Sequence, residues 1–232
     1  MVIIALAAIL LTLIVLELFV GFPFEHIIAN SIARRYVTET YGFTPTKTQA
    51  SILLEHPISV TVWVEEKPYS FDVIMGRFFF ADISDNYLFR TAEYIMEKEL
   101  NDYVSDITNQ NGRAYVSIFS GRIKDFSLSD VEENPEIVFE KVEWYYCGIV
   151  LYDDLTQKNY DIDYVLVYSI YRQIFVLGLN PKYMFITYKD INGKEAKTIL
   201  SIYIDKDQFP KINSPDDLKP FFEKALQKLD QK

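Results

Sequence analysis

The stretch ISVTVWVEEKPYSFDVIM, residues 58–75, decides the fold of the first half of the chain. Apolar residues alternate with polar ones on both sides of the short polar link EEKP. This period-two pattern is typical of an antiparallel hairpin with one buried face. The sequence therefore predicts two paired strands, with Val60 and Val62 on the buried face and Trp63 on the opposite face.

A helix is predicted before this hairpin. Apolar residues recur there at three- and four-residue steps, including Ile27, Ile28 and Val37. Gly42 follows this pattern and suits the left-handed position that often ends a helix. Residues 44–49 have the composition of a turn and linker, so no regular element is predicted between the helix and the hairpin.

The remaining periodicities extend this reading to the end of the chain. They predict, in chain order, a helix at 85–107, strands at 113–119 and 142–152, a helix at 160–177, a hairpin around Asn192–Gly193 and a final helix after Ser214. The order helix, hairpin, helix therefore occurs twice. We expect an α+β fold of antiparallel sheets with helices packed on one face, in units at 25–120 and 121–232 or in one continuous domain.

The N-terminal segment predicts an anchor in a membrane. Residues 2–24, VIIALAAILLTLIVLELFVGFPF, contain a single charged residue, Glu17. About 20 apolar residues are enough to cross a hydrocarbon core of about 30 Å. We expect a transmembrane signal anchor at 1–24 that holds an extracytoplasmic domain at the cell membrane. Arg34 and Arg35 follow the span and favour the opposite orientation, while a cleaved signal peptide and a buried core helix are alternatives to the anchor.

Composition excludes several classes of function. Half of the residues are hydrophobic, which excludes a disordered chain. The 23 Lys and Arg residues against 33 Asp and Glu residues give a net charge of −10, which disfavours nucleic-acid binding. Cys147 is the single cysteine and lies in an apolar strand, so we expect it in the core. The sequence contains no phosphate-binding loop, dinucleotide fingerprint, serine-hydrolase elbow or HExxH motif, and no cofactor is predicted.

Two groups of residues are candidates for a site. The carboxylates Asp153, Asp154, Asp161 and Asp163 surround one loop and could supply oxygen ligands to a divalent cation. Helix capping and a solvated loop are the alternative. The aromatic residues Trp63, Trp144 and Tyr145 could contact a partner, because monomers rarely expose large apolar patches. The alternative is that both faces of the sheets are covered.

A set of short motifs in residues 1–107 carries a resemblance to a known group. After the apolar start, a helix ends in the tripeptide YGF at 41–43, a hairpin follows, and DNYL at 85–88 opens a helix. This arrangement resembles small membrane-anchored envelope proteins of Gram-positive bacteria that carry PepSY-like or cystatin-like α+β modules. The resemblance implies an extracytoplasmic domain and supplies no functional residues.

Three functions follow as expectations. The first is a non-catalytic protein that binds another envelope protein or a peptide, anchored in the lipid bilayer through residues 2–24. The second is a scaffold subunit of a membrane secretion or conjugation complex. The third is a divalent-cation-dependent enzyme that uses the carboxylates around 153–163. The sequence leaves the oligomeric state open.

Overall fold

The computed structural model describes residue 12 and residues 23–52, 57–76, 80–120, 126–142, 144–153, 162–190 and 197–229. The chain divides into two compact units, Met1–Arg90 and Thr91–Lys232. Each unit contains a four-stranded sheet accompanied by helices. The α+β class that the sequence predicts is therefore confirmed.

The first unit consists of one helix and an antiparallel sheet. Its elements are α1 (Pro23–Tyr41), β1 (Pro45–Ser51), β2 (Ile58–Val64), β3 (Ser70–Met75) and β4 (Ser84–Asp85). The strands lie in the order β1-β2-β3-β4, and every neighbouring pair is antiparallel.

The predicted hairpin is confirmed as β2 and β3. Val60 on β2 faces Val73 on β3, and both side chains are fully buried, whereas Trp63 lies half-buried on the other face. The helix end is confirmed as well, because Gly42 has a φ of +74° and its N–H donates to the carbonyl of Thr38.

The buried side of α1 differs from the prediction. Ala29, Ala33 and Val37, spaced four residues apart, are fully buried, whereas Ile27 and Ile28 are exposed. Residues four apart share one helix face, and small side chains let that face approach the sheet closely. Of the apolar residues in the predicted pattern, Val37 is confirmed on the buried side, whereas Ile27 and Ile28 are not, because the two alanines take the buried positions.

The predicted linker at 44–49 is wrong, since these residues form most of β1. β1 lies at the sheet edge and pairs with β2 alone, so most of its side chains remain exposed. An edge strand needs no apolar alternation. Proline has no N–H to donate, and Pro45 is tolerated because the first residue of an edge strand does not have to donate one to the ladder.

The second unit is built around a longer sheet. The helix α2 (Tyr87–Ile107) crosses the boundary between the units at Arg90. The elements after it are β5 (Gly112–Ser120), α3 (Leu128–Glu133), α4 (Glu136–Lys141), β6 (Trp144–Asp153), α5 (Tyr164–Val176), β7 (Tyr183–Asp190), β8 (Lys197–Asp205), two 3-10 helices (Lys206–Lys211 and Pro215–Leu218) and α6 (Lys219–Leu229).

The second sheet is mixed, with the strand order β5-β6-β7-β8. β5 pairs antiparallel with β6, and β7 pairs antiparallel with β8. The β6–β7 pair is parallel, which corrects the prediction of antiparallel sheets for this position. The reason is topological, because two strands joined by a helical crossover through α5 run in the same direction. β5, which the sequence analysis assigned to the first unit, belongs to this sheet.

Alternation divides the second sheet into two faces. Cys147, Ile149, Ile186 and Ile202 lie on one face and are almost completely buried, with Ile170 and Ile174 of α5 also in the core. This face is the hydrophobic core of the unit. The opposite face is described below.

The predicted membrane anchor at 2–24 lies outside the described residues except for Thr12, Pro23 and Phe24. Among the helices that the structure does describe, none combines the length and the apolar character needed to cross a bilayer. The predicted turn at Asn192–Gly193 also lies outside the described residues.

Candidate functional site

The open face of the second sheet carries an aromatic side chain from each of its four strands. These are Tyr115 on β5, Tyr146 on β6, Phe185 on β7 and Tyr203 on β8, with Tyr183 beside them on β7. We call these five residues the aromatic face. With Thr187 and Ser201 they line a shallow depression of about 660 Å³.

The rings of the aromatic face contact one another across the strands. The ring centroids of Tyr115 and Tyr146 lie 5.7 Å apart, those of Tyr146 and Phe185 lie 5.5 Å apart, and those of Phe185 and Tyr203 lie 5.4 Å apart. The first two pairs are edge-to-face, with interplanar angles of 84° and 87°. Edge-to-face pairs are favourable beyond their apolar burial, so these contacts hold the rings in a defined arrangement.

Backbone register explains why these side chains meet. Tyr146 is the register partner of Tyr183, and Phe185 is the register partner of Tyr203. Tyr115 is opposite Gly148, where a Cβ atom would lie 1.9 Å from the ring of Tyr115. The glycine therefore leaves the space that this ring occupies.

Among the described residues, the side chains that line the depression are all uncharged. Burial raises the pKa of Tyr115, to which the neighbouring Tyr146 adds, so the phenol stays neutral at physiological pH. At one border, the Tyr203 hydroxyl donates to the Asp205 carboxylate over 3.1 Å. Burial, followed by this hydrogen bond, raises the pKa of Tyr203.

Trp144 borders the aromatic face at the start of β6. Its side chain is 44% exposed, and its ring centroid lies 6.2 Å from that of Tyr183. The ammonium of Lys182 lies 4.8 Å from the Trp144 ring centroid, which places a cation over the indole. Of the three aromatic residues that the sequence analysis singled out, Trp144 is the one at this surface.

The other two candidates lie elsewhere. Tyr145 is 4% exposed and faces the core, where its hydroxyl accepts a hydrogen bond from the N–H of Asn180. Trp63 belongs to the first unit, half-buried, with the ammonium of Lys47 at 4.6 Å from its ring centroid. The structure therefore does not bring these three residues together into one site.

The candidate metal ligands are described only in part. Asp163 is the N-cap of α5, and its carboxylate accepts from the N–H of Leu166 over 2.9 Å, as the capping alternative proposed. Asp153 ends β6, while Asp154 and Asp161 lie outside the described residues. Within the described ranges, no three His, Cys, Asp or Glu side chains are grouped so as to hold a metal ion.

Cys147 lies in the core, as predicted. Its side chain is fully buried on β6, and desolvation raises the pKa of the thiol. A thiol in such a setting is inert, because the nucleophilic form is the thiolate.

A second polar cluster, which the sequence reading missed, lies in the first unit around Asp85. Its carboxylate accepts from the Tyr36 hydroxyl over 2.6 Å and from the Tyr41 hydroxyl over 2.9 Å. It also accepts from the N–H of Tyr87, the first residue of α2, over 2.8 Å. Because Tyr36 and Tyr41 belong to α1, this carboxylate fastens the helix to the sheet.

Of these places, the aromatic face has the features of a binding surface. Tyrosine rings supply apolar contact area, and their hydroxyls supply donors and acceptors, a combination enriched at protein interfaces. Comparisons with protein-family models, with curated proteins and with solved structures found no match.

Proposed function

We propose that this chain is a non-catalytic binding protein whose aromatic face holds another protein or a peptide of the cell envelope. The observation that carries the proposal is the line of aromatic rings across all four strands on the open face of the second sheet. The core residues of the same sheet lie on the opposite face, so these rings are not needed to build the core.

An aromatic face left in contact with water carries a cost in free energy that a bound partner can remove. Tyr203 is 46% exposed, the other four rings of the aromatic face are half-buried, and Trp144, which contacts Tyr183, is 44% exposed. Burial of an apolar surface is worth about 25 cal/mol per Å², so a partner that covers this contiguous patch gains several contacts at once. Contiguous exposed aromatic surface on a folded domain is a mark of an interaction site.

The proposed location follows from the N-terminal residues. We propose that residues 2–24 anchor the chain in the membrane and that both units lie on the extracytoplasmic side. The support is the length of this segment and its single charge at Glu17. Protease added to intact cells should degrade the units, with a cytoplasmic protein as the intact reference. Degradation only after lysis would place them in the cytoplasm.

Photo-crosslinking in cells tests the binding surface. A photoreactive phenylalanine analogue at Tyr203 should give a discrete adduct with a partner, whereas the same analogue at Val165, which is 64% exposed on α5, should give none. A second substitution, Phe185→Ser, removes a central ring and should abolish the adduct. Equal adduct yields at Tyr203 and Val165 would contradict the proposal.

A further inference from the structure

The two edge strands of the second sheet, β5 and β8, differ in whether side chains of the unit accept hydrogen bonds from their outward N–H groups. At the β5 edge, the N–H of Ala114 donates to the side-chain oxygen of Asn101, and the N–H of Ile118 donates to the carboxylate of Glu93. Both acceptors belong to α2, so polar side chains of this helix satisfy two of the outward N–H groups of β5. Covering an edge in this way prevents it from pairing with another chain.

At the β8 edge, the residues that the structure describes include no such side-chain acceptor for the N–H of Ser201 or Tyr203. The N–H of Lys206 donates to the carbonyl of Lys182 over 3.0 Å, which fixes the phase of the β7–β8 ladder. In an antiparallel ladder, alternate residues direct their N–H and C=O groups toward the partner strand. Ile202 and Ile204 therefore bond to β7, and the main-chain groups of Ser201 and Tyr203 point outward.

One neighbouring residue supports this phase. Asp205 lies an even number of residues from Ser201 and Tyr203, so its N–H also points away from β7. This N–H donates to the side-chain oxygen of Gln208 over 3.0 Å. Within the described part of the chain, no comparable partner meets the outward main-chain groups of Ser201 or Tyr203. The edge thus presents the N–H and C=O groups of Ser201 and Tyr203, two residues apart, as the main chain of an added strand requires.

A groove of about 490 Å³ runs beside this edge, between β8 and α6. Phe221 and Ala225, one helical turn apart on α6, give it an apolar wall. Lys224 and Lys228 line the same groove, also one turn apart, and both are exposed.

The two groove lysines have no ion pair in the described chain. Lys219, at the start of the same helix, differs from these two lysines, because its ammonium pairs with the carboxylate of Asp216 over 2.6 Å. The carboxylate of Asp205 lines the groove as well, but it already accepts from the Tyr203 hydroxyl and from the N–H of Asp207. The two unpaired ammonium groups therefore leave the groove with positive charge in a chain whose net charge is −10, and a positive groove favours an acidic ligand.

We propose that this groove binds an extended acidic peptide, which adds to β8 as a further strand. Its main chain bonds to the outward groups of Ser201 and Tyr203, since neighbouring strands lie about 4.8 Å apart. Side chains of one parity face α6, with apolar groups against Phe221 and carboxylates near Lys224 and Lys228. This site shares Ser201 and Tyr203 with the depression of the aromatic face, but it uses their main-chain groups and the side of β8 next to α6, so it does not depend on the function proposed for that face.

Selection from a library of short random peptides, displayed on phage and exposed to the full chain, tests the inference. The enriched peptides should be rich in Asp or Glu, lack internal proline and alternate in apolar character. Their affinity should fall about tenfold or more in Lys224→Glu/Lys228→Glu. Lys98→Glu, which removes an exposed cation of α2 paired with Asp102, is the matched control and should leave the affinity unchanged.

Strand addition is tested separately from charge. Ser201→Pro removes an outward N–H but no ladder bond to β7, so it should abolish binding while the protein stays folded. N-methylation of the peptide tests the same bond without changing the protein, and methyl groups at one parity should abolish binding while those at the other parity do not. Equal tolerance at both parities would overturn strand addition.

Two further outcomes decide the identity of the occupant. No enriched peptide, or enriched peptides without acidic bias, would overturn the inference. Dimers of the full chain in sedimentation that Ser201→Pro converts to monomers would assign the edge to a second copy of the chain instead. Tyr115→Ala changes the aromatic face on β5, at the opposite edge of the sheet, and should leave peptide affinity unchanged, so that failure of this inference and failure of the aromatic-face proposal are distinguishable.

Discussion

The ring of Tyr115 occupies the space above Gly148, its register partner on β6, where a Cβ atom would lie 1.9 Å from the ring Cζ. Glycine in a strand is unfavourable by roughly 0.5–1 kcal/mol relative to alanine. The close approach of the ring supplies a reason for glycine here, because any larger residue displaces Tyr115 from the aromatic face.

The first prediction concerns this pair. Gly148→Ala should lower the free energy of unfolding by about 1 kcal/mol, because the new methyl group forces the Tyr115 ring away from its contact with Tyr146. In a Tyr115→Ala background the same change should be neutral or stabilising, since the clash is gone. Denaturant unfolding of the four variants measures the coupling, and equal effects in both backgrounds would refute the relationship.

The second prediction concerns Asp85. Asp85→Ala should lower the free energy of unfolding by about 3 kcal/mol, because the hydroxyls of Tyr36 and Tyr41 lose a charged acceptor. Asp82→Asn, at an exposed neighbouring position, serves as the control and should change stability little. A loss below about 1 kcal/mol for Asp85→Ala would show that the cluster does not hold α1 to the sheet.

The third prediction concerns alkaline pH. Burial, with the nearby Asp85 carboxylate, raises the pKa of Tyr36 and Tyr41 above the ordinary value of 10.0. The folded state therefore holds these protons more tightly than the unfolded state, and the stability they contribute is complete below pH 10.0 and is lost as the pH rises further.

Unfolding measured against pH checks this sign. The free energy of unfolding should fall above about pH 10, and Tyr41→Phe should reduce the slope of that fall. Tyr36→Phe removes the other phenol that donates to Asp85 and should reduce the slope in the same direction. A slope unaffected by Tyr41→Phe would contradict the assignment.

The fourth prediction concerns the end of α1. Gly42 has a φ of +74° with no atom within 4 Å of a built Cβ, so a substitution there meets strain but no steric clash. Gly42→Ala should cost about 1 kcal/mol, and Gly42→Asn should cost less because asparagine tolerates this backbone region. Thermal unfolding ranks the two variants, and the reverse order would contradict the explanation.

Much of the fold could be predicted because its central strands are buried on one face. In β2, the alternation of Val60 and Val62 with Thr61 reports burial directly. β1 escaped prediction because a polar edge strand such as PTKTQAS has no apolar face to report. The parallel pairing of β6 and β7 was not predicted, because the alternation within a strand shows which residues share a face but not in which direction the neighbouring strand runs.

Part of the candidate site could have been predicted from the sequence. Cys147 was predicted to be in the core, and period two then places Tyr145 in the core and Tyr146 on the opposite face with Trp144. The sequence analysis placed Trp144 and Tyr145 in one group of candidate partner contacts and so missed that neighbouring residues of a strand lie on opposite faces. Tyr115 and Phe185 could not be added from sequence, because their proximity depends on the register among β5, β6 and β7.

The central claim is that a partner covers the aromatic face in the cell. Hydroxyl-radical footprinting of the full chain, in intact cells and after purification, measures this cover residue by residue. We predict that Tyr203 is oxidised several-fold more slowly in cells than in the purified protein, while Tyr94, 38% exposed on α2, is oxidised at the same rate in both. Equal oxidation of Tyr203 in cells and in the purified chain would contradict the account.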